Sequence, residues 1–361
     1  MRNTVLEVNG IPYEGFTVIN VQKSIEDFSG DFTVKATIEG INFLPFKGNE
    51  PCRVLVDDIS LITGYIESVD YSYDTNSHEV EISGRDKTAD IIDSSIVGNI
   101  ELNSPSLETI VKAVLAGLNL DIAIINQAGD IEPGKDELVS AEVGENAFDF
   151  IEKHARKRGV LLSTNGDGDI VFTRASTEVL DGVLINKVNN DNNNVKSGNI
   201  SYNFSNRYNK YTVQGQDNPL FLSLNDESTD NIESQKGEAI DEEIRTSRIL
   251  VLQPETESNN LSSAERAKWE SNVRRARGTV YTSIVNDIFI NKTQILEPNK
   301  LIRVVDDLCN IDSLMLIRSV NYNLSEAGTT VTVELVNKDS YTLQPTKDLN
   351  DSQYNKIGED V

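Results

Sequence analysis

Cysteine, histidine, tryptophan and positive charge are all scarce in this chain of 361 residues. It holds two cysteines, two histidines and one tryptophan, and 33 Lys and Arg against 58 Asp and Glu give a net charge of −25. Two cysteines exclude a disulfide-dense scaffold. A bridge between Cys52 and Cys309 is one reading; two reduced, buried thiols in an intracellular protein fit better. His78 falls in a turn and His154 on a helix, neither with a partner at metal-ligand spacing, so a zinc site from His and Cys is not supported. No GxSxG, P-loop or GxGxxG motif occurs. Carboxylates are so many that nothing selects a glycosidase pair. No residue is therefore assigned a catalytic, cofactor-binding or metal role, and no enzyme is expected. The acidic balance repels phosphate backbones, which argues against sequence-nonspecific DNA or RNA binding, and no sequence-specific nucleic-acid binding is expected. No apolar run reaches bilayer-spanning length, so membrane insertion is not expected. The N-terminal MRNTVLEVNG lacks the basic segment and apolar core of a secretory signal.

What the sequence does have is turn chemistry and period-two alternation. The segment Gly64 to Lys87 reads as a hairpin. Ile66, Val69, Tyr71 and Tyr73 supply β-branched and aromatic residues, Asp74-Thr75-Asn76-Ser77 forms a turn, and Glu79 to Ile82 alternates again. This hairpin has an echo. Ile317 to Lys338 aligns with Ile66 to Lys87 without a gap, matching Ser68 with Ser319, Val69 with Val320, Tyr71 with Tyr322 and Val80 with Val331. Upstream, Arg53 to Asp58 resembles Arg303 to Asp307. A second echo sets Phe32-Thr33-Val34 beside Tyr211-Thr212-Val213. Matches in one order predict two copies of a β-domain.

Taken in order, residues 1–95 are expected to form a first β-barrel domain. Its strands are Thr4 to Val8, Phe16 to Ile25, Asp31 to Glu39, Cys52 to Val56, Ile59 to Tyr73 and Glu79 to Ser83, punctuated by Gly10, Gly15, Gly30, Gly40 and Gly48. The run Gly84 to Asp90 reads as a salt-bridged junction to the next domain. Residues 96–185 are expected to be an α+β domain. A helix is capped by Ser104 with Pro105 at its first position, and a strand runs from Leu120 to Ile125. A helix from Glu145 to Arg158 faces Phe148, Ile151 and Ala155 inward and ends at Gly159. A hairpin then turns at Asn165 to Asp169. That turn resembles part of a calcium loop, but position 176 is Ser176 rather than the closing Glu, and a tight turn fits better.

Residues 186–199, rich in Asn, read as a linker. A second β-barrel domain is expected from 200–216 and 279–343, interrupted by an excursion over 217–278. Within the excursion, Ser262 to Glu265 fits a capping box. Its helix carries Trp269, Val273 and Ala276 on one stripe and Arg266, Lys268, Arg274, Arg275 and Arg277 on the others. Docking on an acidic neighbour and a solvated face are both open readings. Residues 344–361 read as a flexible tail. The fold class is thus mainly β and multidomain, with two related small β-barrels flanking an α+β domain.

Several segments, in this order, resemble the baseplate hub proteins of Mu-like contractile-tailed bacteriophages. They are Thr63 to Ser68, Gly84 to Asp93, Arg158 to Leu161, the Asn165 hairpin ending in Val171-Phe172-Thr173-Arg174, Tyr211 to Gly215, and the Glu265 to Arg277 helix. Gly84-Arg85-Asp86-Lys87-Thr88-Ala89-Asp90 is the specific marker. The Asn-rich loop around Asn189 to Asn194 and the acidic balance are less like the family. The resemblance implies a homotrimer in the virion tail, assembled in the bacterial host cytoplasm. It would adapt a six-fold tail tube protein to a three-fold central spike protein among other baseplate proteins, and leave a channel for DNA. Two other classes stay open, a tail-associated cell-wall hydrolase and a carbohydrate- or receptor-binding tail module.

Overall fold

The computed structural model describes residues 3–37, 44–75, 78–131, 133, 138–142, 144–214, 236–252, 263–291, 293–325 and 328–341. The expected turn residues Asn76 and Ser77, the capping Ser262, much of the 217–278 excursion and the 344–361 tail lie outside this set. The chain divides into two compact units, Met1–Ile200 with Tyr281–Val336, and Ser201–Val280 with Asn337–Val361.

The first unit opens with seven strands: β1 (Thr4–Val8), β2 (Ile11–Tyr13), β3 (Val18–Ser24), β4 (Asp31–Thr37), β5 (Pro51–Val56), β6 (Ile59–Tyr73) and β7 (His78–Asp86). There follow α1 (Ala89–Asp93), β8 (Glu101–Asn103), α2 (Leu107–Leu118), β9 (Ile124–Asn126), β10 (Leu138–Ser140), α3 (Ala147–Lys157), β11 (Leu161–Thr164) and β12 (Ile170–Thr173). Then come β13 (Val179–Asn186) and β14 (Val195–Tyr202). The second unit holds β15 (Lys210–Gln214), β16 (Lys236–Ile240), β17 (Ile249–Leu252) and α4 (Ser263–Arg277). The chain returns through β18 (Thr279–Val285), β19 (Leu301–Asp306), β20 (Ile311–Ser325) and β21 (Gly328–Asn337), and a short 3-10 helix spans Lys338–Tyr341.

Alternation builds the main sheet. In β5, Cys52, Val54 and Val56 are buried while their neighbours are not, as a strand with one core face requires. The expected pair of separate barrels is joined into one sheet of thirteen strands, ordered β14-β18-β21-β20-β3-β4-β7-β6-β5-β1-β2, with β19 pairing β20 and β13. The join is β20 against β3, antiparallel from Ser319 opposite Ser24 to Ser325 opposite Val18. One hydrophobic core lies behind both halves, drawing Ile19, Val21 and Phe32 together with Val320, Tyr322 and Leu324.

The first echo has a structural counterpart. β6 and β20 are each fifteen residues long. Each enters its long stretch past the same corner. The Asn49 amide donates to the Ile66 carbonyl (2.6 Å) and the Ile66 amide to the Glu50 carbonyl (3.0 Å); the Asn299 amide donates to the Ile317 carbonyl and the Ile317 amide to the Lys300 carbonyl, both at 2.9 Å. Both asparagines are left-handed, at φ 71° and 60°, a conformation Asn tolerates better than most residues.

The second echo does not hold. Tyr211, Thr212 and Val213 lie in β15, the centre of a separate three-stranded sheet ordered β16-β15-β17, so this part of 200–216 is not in the second copy. All three residues are buried, as a central strand demands, and any aromatic-Thr-Val run suits such a place. The neighbour of β21 that answers to β4 is β18. Two further boundaries move. β13, expected in the α+β domain, pairs in parallel with β19 of the large sheet. β14 begins at Val195 inside the expected linker, and its Lys196 to Asn199 are exposed because β14 ends the sheet path. An edge strand of polar residues carries no apolar signal.

The α+β part packs α2 and α3 with β9, β11 and β12 around Leu107, Ile110, Val111, Phe150, Ile151 and Phe172. The cap of α2 is Ser106, not Ser104: its Oγ accepts the Thr109 amide at 3.1 Å. Asn146 caps α3, accepting from the Phe148 and Asp149 amides, so the helix begins at Ala147 rather than at Glu145. Gly159 follows the end of α3 at φ 62°, as an αL terminator should.

Candidate assembly interface

Asp86, the last residue of β7, is wholly buried and accepts five hydrogen bonds. One oxygen accepts from Ser29 Oγ (3.0 Å), the Thr88 amide (3.0 Å) and Thr88 Oγ1. The other accepts from the Gly30 amide and Thr164 Oγ1, both at 2.9 Å. One carboxylate thereby ties the β3–β4 connection, the entry to α1 and β11 to the end of β7. Lys23 lies in the same region. Burial lowers its pKa, and the carboxylates of Glu297, Asp86 and Asp167 pull it back up. Nearer the surface, Arg85 pairs with Asp93 and with Glu67 (2.6 Å). Those two hydrogen bonds, Asp93 first, raise the guanidinium pKa further. The run from Gly84 to Asp90 thus contains the expected salt bridge and, beside it, a buried polar knot.

The β11–β12 turn seats against β6. Gly166 O accepts from Ser60 Oγ and Thr63 Oγ1, both at 2.8 Å. A Cβ on Gly166 would stand 2.0 Å from the Ser60 carbonyl oxygen. Asn165 Oδ1 accepts from the Asp167 (3.0 Å) and Asp169 (2.9 Å) amides, which closes the turn on itself. Its oxygens serve protein donors, which supports the tight-turn reading. Among the described residues no group of three or more His, Cys, Asp or Glu side chains could hold a metal ion.

Asp306, at the end of β19, plays a similar part in the other half. It accepts from Tyr281 Oη (2.6 Å), Asn186 Nδ2 (3.2 Å) and the Leu308 and Cys309 amides (both 2.9 Å). Burial alone would raise its pKa; the hydrogen bonds outweigh it and hold the carboxyl below its ordinary value. Cys52 and Cys309 are both free thiols, but only Cys52 is buried; Cys309 is half-buried. Burial pushes the Cys52 thiol up to about 12, leaving it inert as a nucleophile. His78 starts β7 with its ring edge-on to Tyr73, and His154 is buried against Phe150.

In the second unit, α4 packs Ala267 against Tyr211 and Val213 of β15. The buried Glu270 carboxylate binds Arg274 (2.6 Å) and Arg266 (3.8 Å), and Arg277 donates to the Ser340 carbonyl (3.1 Å). Trp269 is half-buried, with the Arg266 guanidinium 4.9 Å from its ring centre. Lys268, Arg275 and Arg277 are exposed. Arg266 and Arg274 share one carboxylate and Arg277 binds a neutral carbonyl, so the helix keeps a net positive charge, and the docking and solvated-face readings both stand.

Asp86, Asp306, Gly166 and the paired Asn49 and Asn299 escaped individual notice in the sequence. Only the asparagines left a usable trace. Each stands just before a charged residue and 17 or 18 positions upstream of a matched Ile.

The comparisons with known proteins agree with this arrangement. Residues 3–86 match the Mu phage baseplate assembly protein GpP-like N-terminal family, 88–174 the second domain of the baseplate hub protein gp44-like family, and 259–344 the fourth domain of Mu phage baseplate assembly protein GpP. The first two matches meet at Lys87, beside the Asp86 knot. Baseplate hub protein gp44 of Escherichia phage Mu is 25% identical over 315 residues, covering 84% of this chain and 79% of gp44. The 43 kDa tail protein of prophage MuSo2 from Shewanella oneidensis has a similar structure, with a TM-score of 0.79, 27% identity, and coverage of 94% of this chain and 99% of that one. A tail protein from Neisseria meningitidis MC58 shares the fold at a TM-score of 0.78 and 18% identity, with coverage of 94% and 99%. Fold and matches define the class, a phage tail protein of the baseplate. In three segments of its sequence, and over most of its length in structure, the chain is similar to the baseplate hub proteins of Mu-like phages.

Proposed function

We propose that three copies of this chain form a ring at the tip of the tail tube, between the six-fold tube protein and the three-fold central spike, with a channel left for DNA. The observation that carries this reading is the doubled corner at Asn49–Ile66 and Asn299–Ile317, set in two strands of equal length. A chain with two like halves presents six like surfaces when three copies meet, which is what matching six-fold to three-fold symmetry requires. The net charge of −25 supports an acidic wall along which a genome slides without sticking. The role is structural, without catalysis, in the baseplate of a virion assembled in the host cytoplasm. Neither a cell-wall hydrolase nor a glycan-binding module draws support from any cluster described above. Light scattering of the purified protein should give three times the chain mass, and electron microscopy should show a ring with a central hole. A stable monomer at the concentrations used for tail assembly would refute the proposal.

A further inference from the structure

Between Ser319 and Ser325, β20 has a strand on each side, β21 along one edge and β3 along the other. The corresponding stretch of β6 is bonded differently. β7 follows it to Tyr73 opposite His78. On the other edge β5 stops at Pro51 opposite Tyr65, and among the described residues no strand continues beyond it. The side chains register the difference. Val320, Tyr322 and Leu324 are 1%, 1% and 5% exposed; their counterparts Val69 and Tyr71 are half-buried and Tyr73 is 84% exposed. The other half shows the converse. β3 is bonded by β4 on one side and β20 on the other, whereas its counterpart β14, next to β18, ends the sheet path with Lys196 to Asn199 exposed. The described part of the connection before β5, residues 44–50, has its match in the other half. Its Leu44 amide donates to Tyr71 Oη, and in the other half Tyr322 Oη donates to the Leu296 carbonyl of the matching connection while β3 is in place.

Among the described residues, each chain therefore carries one strand edge lacking a β3-like neighbour and one β3-like strand lacking a β20-like neighbour. We propose that β6 beyond Ile66 pairs antiparallel with β14 of a second copy, repeating between chains the β20–β3 contact made within one. This rests on the ring reading above and names the surfaces that close it. The contact is head-to-tail, so it propagates around a ring instead of ending at a dimer. It covers Val69, Tyr71 and Tyr73 as β3 covers Val320, Tyr322 and Leu324. It also removes two exposed strand edges that would otherwise invite aggregation.

The test mixes two variants, both in a Cys309→Ser background. One carries Ser72→Cys, at an exposed position of β6; the other carries Ser197→Cys, Asn199→Cys or Ser201→Cys, all exposed in β14. A short bis-maleimide is added, products are resolved under denaturing conditions, and light scattering is run on the same samples. The expected result is a linked pair containing one chain of each kind, strongest for one of the three β14 positions, with at least tenfold less product from either variant alone. A trimer that yields no mixed product at any position overturns this pairing while the ring reading stands. A monomer overturns both.

Discussion

A single carboxylate at Asp306 holds the end of β19 to Tyr281, to Asn186 and to its own following turn. Its pKa lies below the ordinary 3.8, so folding favours the charged form. The sign follows from linkage. The stabilisation is fully present above that ordinary value and is lost as pH falls through the lower, folded one. Asp306→Asn should lower unfolding stability at neutral pH by about 1–3 kcal/mol, the cost of a lost charged acceptor. Urea titrations of both proteins should show the gap closing below about pH 4; a gap constant from pH 7 to pH 3 would show that the charge is not what matters. Asp86 is the more connected residue. Its five hydrogen bonds come from three separate segments, so its removal would orphan buried donors across a domain boundary.

At the level of elements, the β11–β12 turn is held on β6 by the approach of Gly166 to the Ser60 carbonyl. Backbone faces backbone there, so no rotamer change can make room for a methyl group. Gly166→Ala should cost about 1–3 kcal/mol, as overpacking does. Hydrogen exchange should speed up in β11 and β12 before the large sheet; unchanged protection would deny the contact its role. Strand β6 was legible from its pattern, since turn residues bound it and β-branched and aromatic residues fill it. The cap of α2 and the start of α3 each fell two residues from their expected places, because Ser104, Ser106, Glu145 and Asn146 all suit a helix start and only the backbone path selects among them. β14 and β15 were misplaced for opposite reasons. The exposed strand looks like loop, and the buried strand looks like any other buried strand.

For the whole molecule, charge is the term that opposes assembly. In the proposed ring, three chains at −25 each would repel one another strongly. The Debye length falls from about 30 Å at 0.01 M salt to about 8 Å at 0.15 M. Association measured by sedimentation should therefore tighten as salt rises across that range. An association that weakens steadily with salt would point to ion pairs between chains rather than to strand pairing.

The sequence by itself determined the hairpins, the helices and their repetition, because alternation, turn chemistry and capping act over a few residues. It also marked the Gly84 to Asp90 run as a junction through its mixture of charges. Only the tertiary structure decided that β3 lies against β20, that β15 belongs elsewhere, and that Asp86 joins three segments. Strand neighbours are chosen by backbone hydrogen bonds, which every residue except proline can make, so distant pairing leaves little mark on side-chain order.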